Sequence, residues 1–367
     1  MDILVIMLGA FILYITEGWF YSRFWSKGLD AKAKITPLSA FKGDKCTMEL
    51  TVANRKLLPL PWLWIKLHIS SYLHFDNMPE SSNEYVYHNS LFCIMGWQEI
   101  KRSLSFTCTK RGYYPLRSFE VIGTSILFNG KHSKSFDLPP ALTVYPSLIA
   151  IDEIDTLISR LDGTVAYRGF INPDPFEFSG IREYSPTDSL KDINFRASAH
   201  MNTLMSNTHN PTVKGEITII LCFRLLKESF EEERFEYAVS LAATLSDYYI
   251  RQGYSLALYS NGIDPLSDTC VKIEGGIGEG HLSLILESLG RISYTKTDTL
   301  KLLKPDINST SSAIFISPTV DMDILELYGN ITEKYFGVKW LFPVMSFYVP
   351  HSTPPVEGAE IVPVPPE

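Results

Sequence analysis

The chain has 367 residues, enough for about two globular domains, and its 45% hydrophobic and 13% aromatic content supplies material for substantial cores. Its formal net charge is −8 at pH 7. This acidic balance argues against a general nucleic-acid binder, which carries a basic face. We therefore expect no nucleic-acid partner.

The first 25 residues predict a transmembrane anchor. The run Ile3–Tyr21 contains one charged residue, Glu17, and as a helix with a rise of about 1.5 Å per residue it approaches the ~30 Å hydrocarbon core. Trp19, Tyr21 and Trp25 then fit an interfacial aromatic belt. A cleaved signal peptide, the main alternative, has its positive charge before the apolar run.

The charges that flank this run predict its orientation. Arg23, Lys27, Lys32 and Lys34 follow the run, and no Lys or Arg precedes it. The positive-inside rule therefore places the N-terminus outside and the soluble domains in the cytoplasm. We expect a single-pass protein of the plasma membrane that contacts lipid through residues 3–21.

Residues 35–146 predict an all-β domain. The segments KCTMELTVAN, LPWLWIKLHI and RSLSFTCTKRGYYPLRSFEVIG are β-prone and are separated by Gly, Pro and Asn. Short strands with such turns are typical of an antiparallel sandwich, and we expect an immunoglobulin-like one. Sandwiches of this kind bind or space other domains more often than they catalyse.

Residues 214–350 predict an α/β domain. Continuous apolar strands such as ITIILCF, YSLALYS and SAIFIS alternate with helical segments at 231–251, 280–292 and 321–335. Strands without polar alternation indicate a mostly parallel sheet that is covered by helices on both faces. The Pro-rich segment 351–367 is expected to be disordered, with an extended ligand as the alternative.

The five cysteines do not indicate a zinc site or a secreted disulfide framework. None forms a C-x-x-C pair, and they are Cys46, Cys93, Cys108, Cys222 and Cys270. A disulfide between Cys46 and Cys108 could join two strands of the sandwich. Buried reduced thiols in a reducing compartment are the favoured interpretation.

A junction at residues 147–213 contains GIREYSPTDSLKDINFRASA, which runs from Gly180 to Ala199. It resembles the signature of the bacterial family called "domain of unknown function" number 58, approximately G-x-R-x-Y-x-x-G-D-x-x-R-x-I-D/N-W-K/R-x-S/T-A-R. The matching residues are Gly180, Arg182, Tyr184, Asp188, Ile193, Asn194, Arg196, Ser198 and Ala199. The departures are Thr187, Lys191, Phe195 and His200, where the pattern has Gly, Arg, Trp and Arg.

The resemblance extends to both flanks of the signature. AFKGDKCTMELTVANRKLLPLPWLWI and TKRGYYPLRSFEV look like the family's membrane-proximal sandwich, and the C-terminal part looks like its von Willebrand factor A-like region. The resemblance thus implies a multidomain protein with a transmembrane helix, an all-β sandwich and an α/β von Willebrand factor A-like (Rossmann-like) domain. Family members often lie beside MoxR-type AAA+ ATPases, so it also implies a membrane-tethered accessory protein.

The α/β segment lacks the residues of a working von Willebrand A metal site. Such a site binds Mg²⁺ through Asp-x-Ser-x-Ser after the first strand, whereas LCFRLLKES stands here. Asp321 and Asp323 are expected to begin the next helix, where carboxylates suit the N-terminal dipole. GGIGEG lacks the Lys and Ser/Thr of a phosphate loop. We therefore expect no metal, no cofactor and no small-molecule substrate.

Three interpretations of the signature remain open. In the favoured one it is a structural lock, in which Asp188 forms buried ion pairs with Arg182 or Arg196, and Ile193 and Phe195 pack into the α/β domain. In the second it is a surface for a partner or ligand. In the third, Asp188 is a general base and Arg182 binds an anion. The candidate residues for a lock or a surface are Gly180, Arg182, Tyr184, Asp188, Lys191, Ile193, Asn194, Phe195, Arg196 and Ser198.

These patterns favour a non-enzymatic, membrane-anchored cytoplasmic adaptor or scaffold. Its expected partner is a protein, with a MoxR-type AAA+ ATPase of envelope-related assembly as the candidate. The alternative is a hydrolase or an anionic-ligand-binding protein centred on Gly180–Ala199. That alternative requires Arg182, Tyr184 and Asp188 to line a pocket open to solvent.

Overall fold

The structure is a computed structural model of the whole chain. The residues that it describes are 2–76, 85–116, 118–128, 130–138, 141–169, 178–185, 190–209, 215–225, 231–297, 312–334, 338–345 and 359–364. The chain divides into two compact units, Met1–Ser147 and Leu148–Glu367. The protein is therefore multidomain, as the sequence predicts, and each unit is described by itself.

The chain begins with a long apolar helix, α1 (Asp2–Phe24). The segment contains no proline that would interrupt a helix, and nearly all of its large apolar side chains are exposed. The span Ile3–Phe24 is long and apolar enough to cross a membrane. The predicted N-terminal apolar helix is thus confirmed.

The rest of the first unit is built from strands. They are β1 (Leu29–Thr36), β2 (Ser39–Phe41), β3 (Lys45–Asn54), β4 (Leu60–Ser70), β5 (Leu73–Phe75), β6 (Tyr85–Ile94), β7 (Gln98–Cys108), β8 (Gly112–Pro115), β9 (Ser118–Thr124), β10 (Lys131–Asp137) and β11 (Ala141–Tyr145). One antiparallel sheet has the order β1-β3-β7-β5, another has the order β10-β9-β4-β6, and β2-β11-β8 form a third. The predicted β domain is confirmed, with antiparallel pairing in both four-stranded sheets and one parallel pair, β2 with β11, in the third. Its first strand begins before the expected residue 35.

In several strands of the larger sheets, alternating side chains are buried on one face. In β3, Cys46, Met48, Leu50 and Val52 are buried, and the side chains between them are exposed or half-buried. Both four-stranded sheets contribute to a single hydrophobic core. Two antiparallel sheets around one core are the arrangement of a β-sandwich.

Two aromatic residues expected at the membrane interface are buried in this core instead. Tyr21, in the last turn of α1, and Trp25, just after α1, both belong to the hydrophobic core of the first unit. The Tyr21 hydroxyl donates a hydrogen bond to the carbonyl of Pro59 at 2.8 Å. The predicted aromatic belt is therefore wrong for these two residues, whereas Trp19 is exposed.

The second unit contains an α/β sheet and a separate two-stranded sheet. Its strands are β12 (Phe178–Glu183), β13 (Met205–His209), β14 (Glu216–Leu221), β15 (Ser255–Asp264), β16 (Thr269–Gly276), β17 (Ser293–Thr297), β18 (Ser312–Ile316), β19 (Lys339–Met345) and β20 (Ala359–Val364). The large sheet has the order β16-β15-β14-β18-β19-β20, and β17 pairs with β15. Strands β14, β15, β18, β19 and β20 are parallel, and β16 and β17 are antiparallel to β15.

The helices of the second unit are α2 (Ile151–Gly169), α3 (Phe195–Met201), α4 (Glu231–Arg251), α5 (Glu279–Arg291) and α6 (Met322–Lys334). The three helices predicted between strands are confirmed as α4, α5 and α6. Gly253, with a φ of 84°, follows α4 and adopts the left-handed conformation that commonly ends a helix. Helix α2 was not predicted from the sequence; it lies in the expected junction and buries Ile154, Leu157 and Leu161.

The expectation of a fully disordered C-terminal tail is wrong for residues 359–364. These residues form β20, which pairs in parallel with β19. Oε1 of Glu360 lies 3.7 Å from Nζ of Lys339 in β19, and Oε2 lies 3.9 Å from Nη1 of Arg160 in α2. The apolar residues between Ala359 and Val364 favour a strand, and β20 ends the strand order, where a proline is tolerated.

Candidate functional site

The signature lies on a two-stranded element, here called the signature hairpin, which comprises the described residues 178–185 and 190–209. Strands β12 and β13 pair antiparallel, with Arg182 opposite Ser206. After a 3₁₀ turn at Leu190–Asp192, Ile193 forms an antiparallel bridge to the same Ser206. The chain therefore contacts β13 both before and after the segment 186–189.

Asn194 fixes the start of α3. Its side-chain oxygen accepts a hydrogen bond from the backbone N–H of Ala197 at 2.9 Å, which is an N-cap. Its side-chain amide donates to the side-chain oxygen of Asn207 at 2.8 Å. Its own backbone N–H donates to the carbonyl of Met205 at 2.8 Å. One short amide side chain thus joins the helix to β13.

Ser198 completes this connection one turn later. Its hydroxyl donates to the carbonyl of Asn194 at 2.7 Å and accepts the backbone N–H of Met205 at 2.8 Å. Asn202, with a φ of 55°, then ends α3 in the left-handed conformation. Asn194 and Ser198 therefore hold the hairpin together through hydrogen bonds between neutral groups.

The expectation that Phe195 packs into a core is wrong. Phe195 exposes 75% of its surface, and Leu190, Met201 and Leu204 of the same hairpin are also exposed. The hydrogen bonds made by Asn194 and Ser198 hold the face of α3 that carries Ser198 against β13. Phe195, the first residue of α3, lies on the part of the helix that remains accessible.

The cationic residues of the signature are exposed as well. Arg182, Lys191 and Arg196 are exposed, so the burial that the lock interpretation expects for Arg182 or Arg196 is wrong. Gly180, Tyr184 and Ile193 are half-buried. Asp188 lies outside the described residues, so the ion pair and the general base assigned to it stay predictions.

A second cluster lies where β14 and β18 end. Arg224, after β14, places Nε 3.1 Å from Oδ2 of Asp321 and Nη1 2.8 Å from Oδ2 of Asp323. Asp321 also accepts the backbone N–H of Met322, so both acids begin α6, as predicted. Their pairing with Arg224 was not predicted from the sequence. The carboxyl ends of adjacent parallel strands meet at one edge of a sheet. The positions of Arg224 after β14 and of the two aspartates after β18 therefore indicate this contact.

Buried groups support this edge of the sheet. Asn261, after the apolar part of β15, exchanges two hydrogen bonds of 2.8 Å with the backbone of Phe223. Arg234 of α4 is fully buried and donates to the carbonyl of Pro318 at 2.8 Å. Burial raises the pKa of the Cys222 thiol, which keeps it protonated. Within the described ranges, no group of three or more His, Cys, Asp and Glu residues is placed to hold a metal ion.

Comparison with known proteins yields distant similarities. No protein-family model matches the chain. The uncharacterised protein YeaD of Bacillus subtilis strain 168 is 20% identical over 257 residues, which are 69% of this chain and 61% of YeaD. The similarity therefore spans less than two thirds of that protein.

Solved structures show only weak similarity. A CARDB domain from Pyrococcus furiosus is 14% identical, covers 30% of this chain and 93% of its own, and gives a TM-score of 0.19. A non-cellulosomal cohesin from Archaeoglobus fulgidus is 10% identical over 30% of this chain and 91% of its own, with a TM-score of 0.21. At these values the chain is similar to such domains without being assigned to either family.

Proposed function

We propose that the protein is a membrane-anchored adaptor that binds a protein partner through the signature hairpin. The anchor in this proposal is α1, whose apolar span Ile3–Phe24 has the length of a membrane crossing. The basic residues Arg23, Lys27, Lys32 and Lys34 after the span support a cytoplasmic orientation of both units.

The proposal includes a von Willebrand factor A-like domain in the second unit and an immunoglobulin-like sandwich in the first. The sheet order β16-β15-β14-β18-β19-β20 supports the former, because it reverses at β14, the first strand of that sheet in the chain. Such a reversal is typical of doubly wound α/β domains. The two antiparallel sheets with a common core support the immunoglobulin-like sandwich in the first unit.

The observation that carries the proposal is the exposure of Phe195 beside Arg196 on a frame fixed by hydrogen bonds. Aromatic and arginine side chains are enriched among the residues that dominate binding energy at protein interfaces. A rigid frame lowers the entropic cost of presenting them. The hairpin thus combines the side chains and the rigidity of a partner surface. The family resemblance makes a MoxR-type AAA+ ATPase the candidate partner.

The test measures binding of the full chain, reconstituted in lipid nanodiscs, to a purified MoxR-type ATPase from the same genome. The double variant Phe195→Ala, Arg196→Ala is compared with Leu284→Ala, which removes an exposed apolar side chain from α5. We expect the double variant to lose at least about tenfold in affinity, as residues at the centre of an interface do, and Leu284→Ala to bind like the wild type. Folded wild-type protein that binds no such ATPase would contradict the proposal.

A further inference from the structure

Four connections of the first unit lie at the end of the sandwich where α1 enters. Leu29 pairs with Asn54, and Asn54 pairs with Gln98, which aligns the starts of β1 and β7 with the end of β3. In the other sheet, Leu60 pairs with Ile94, and Thr124 pairs with both Trp62 and Lys131. The loops after α1, β3, β6 and β9 therefore share one end of the sandwich.

The end of α1 is fixed to this part of the sandwich. The side-chain amine of Lys56 donates a hydrogen bond to the carbonyl of Trp25 at 2.7 Å. The Trp25 ring packs so closely on Gly123 that a Cβ there would lie 2.8 Å from Cε3 of the ring. Because the Tyr21 hydroxyl is also bonded to Pro59, the position of the sandwich follows that of α1.

The loop after β9 reaches further along the helix. Glu17, the one acidic residue of the span Ile3–Phe24, accepts the backbone N–H of Ile126 at 2.9 Å. Glu17 lies about 10 Å before the end of α1, at a rise of about 1.5 Å per residue. The helix from Ile3 to Glu17 rises only about 21 Å, which is short of a ~30 Å hydrocarbon core. A crossing by α1 would therefore bring Ile126 to the depth of the bilayer surface or below it.

The side chains at this end are apolar and exposed. Phe128 exposes 60% of its surface, and its ring contacts that of Trp62 at an interplanar angle of 37°, with ring centroids 4.9 Å apart. Leu57 and Trp97 of the two neighbouring loops expose 81% and 72%. We define the anchor-side rim as these and the other exposed apolar residues of the three loops: Leu57, Met95, Trp97, Ile126, Leu127 and Phe128.

The rim residues are held in place by the backbone and by buried polar groups. The side-chain amide of Asn54 donates to the carbonyls of Leu58 and Met95 at 2.8 and 3.0 Å, which ties two of the loops together. Trp97 and Phe128 adopt φ values of 58° and 55°, a conformation uncommon for residues other than glycine. The exposed residues Leu57 and Met95 therefore lie on two loops that the buried Asn54 side chain connects.

We propose that the anchor-side rim contacts the same bilayer that α1 crosses, with the side chains of the loop after β9 inserted among the lipids. This inference rests on the membrane anchor of the proposed function. A lipid surface is the occupant that fits, because the rim continues the exposed apolar surface of α1 and is bonded to it through Glu17. Exposed aromatic residues with cations nearby, here Lys27, Arg55 and Lys131, are typical of a membrane interface.

The test places nitroxide labels on the full chain in vesicles of phosphatidylethanolamine and phosphatidylglycerol. Cys93→Ser and Cys270→Ser remove the cysteines that are not buried. Single labels are then attached at Phe128→Cys and Trp97→Cys in the rim, at Leu8→Cys in α1, and at Lys45→Cys at the opposite end of the sandwich. Collision rates with oxygen, which concentrates in lipid, and with a water-soluble nickel chelate report the environment of each label.

We expect oxygen to dominate for the labels at Leu8, Phe128 and Trp97, and the nickel chelate to dominate for Lys45. A lipid environment at Leu8 with a water environment at both rim positions would overturn the rim contact and leave the anchor intact. A water environment at Leu8 would overturn the anchor and the rim contact together. Rim labels shielded from both reagents would indicate contact with protein, such as a second copy, and would also overturn the proposal.

Discussion

The hydroxyl of Ser198 accepts the backbone N–H of Met205 at 2.8 Å, and this bond joins α3 to β13 within the signature hairpin. Met205 is buried, so its N–H has little access to water. At this point of the signature, α3 is therefore joined to β13 by a side-chain hydroxyl and not by an ion pair.

Replacing Ser198 with Ala should therefore destabilise the protein, whereas replacing Phe195 with Ala should not. The first change leaves a buried N–H without its acceptor, which costs about 1–3 kcal/mol. The second removes an exposed ring, and such surface substitutions stay within about 0.5 kcal/mol. Chemical denaturation of the full chain in detergent measures both. A loss of several kcal/mol of stability in the Phe195→Ala variant would contradict the exposed position of the ring and would support the core packing that the sequence predicts.

The pairing of Arg224 with Asp321 and Asp323 predicts independence from magnesium. The guanidinium of Arg224 already pairs with both carboxylates, so EDTA should leave the melting temperature and partner affinity of the wild type unchanged. A stabilisation by millimolar Mg²⁺ that disappears in Asp321→Ala or Asp323→Ala would contradict this expectation.

Sequence patterns predicted the elements that depend on regular periodicity. The apolar spacing that revealed α4 is also present in α2, where Ile154, Leu157, Ile158 and Leu161 follow the helical repeat and are buried. This apolar periodicity is visible in the sequence and would have predicted α2. Strand β20 was missed because the prolines of residues 351–367 indicated disorder, although an edge strand tolerates a proline such as Pro363.

The environment of single signature residues could not be derived in the same way. Phe195 stands where the family pattern has Trp, and an aromatic residue two positions after Ile193 suggests a core. Whether such a ring is buried depends on which face of a two-turn helix meets β13. Hydrogen bonds between Asn194, Ser198 and residues about ten positions away decide that face, and such contacts leave no periodic pattern in a sequence.

The cysteines should differ in their reactivity toward iodoacetamide at pH 8. Burial, with Cys46 as a neighbour, raises the pKa of Cys108 to about 12, and burial also raises the pKa of Cys46 and of Cys222. The thiolate is the nucleophile, so exposed Cys93 should be modified first. Peptide mass spectrometry after timed quenching measures the order, and denatured protein serves as the control. Modification of Cys108 as fast as Cys93 would contradict the buried, protonated pair.

Lys56 should make stability depend on pH in the alkaline range. Burial, and then the nearby charge of Lys134, lower the pKa of Lys56 to about 8 from 10.5. Between these values the unfolded chain binds a proton at Lys56 that the folded chain has released, so the folded state gains stability as the pH rises from about 8 to about 10.4. We expect the stability of the wild type to rise relative to Lys56→Met across this window. Identical dependence of stability on pH in the two proteins would show that folding does not lower the pKa of the Lys56 amine.

The contact between Trp25 and Gly123 should couple the end of α1 energetically to the sandwich. Trp25→Ala removes a buried ring and should cost about 3–5 kcal/mol. Gly123→Ala places a methyl group 2.8 Å from Cε3 of that ring, and such overpacking costs about 1–3 kcal/mol.

The cost of Gly123→Ala should fall in the Trp25→Ala background, because the cavity left by the ring accommodates the methyl group. Denaturation of the full chain, both single variants and the double variant completes the cycle, with an expected coupling of at least about 0.5 kcal/mol for residues in contact. Strictly additive costs would mean that the ring does not rest on Gly123. The sandwich would then not be fixed to α1 through this contact, and the depth assigned to the anchor-side rim would lose one of its supports.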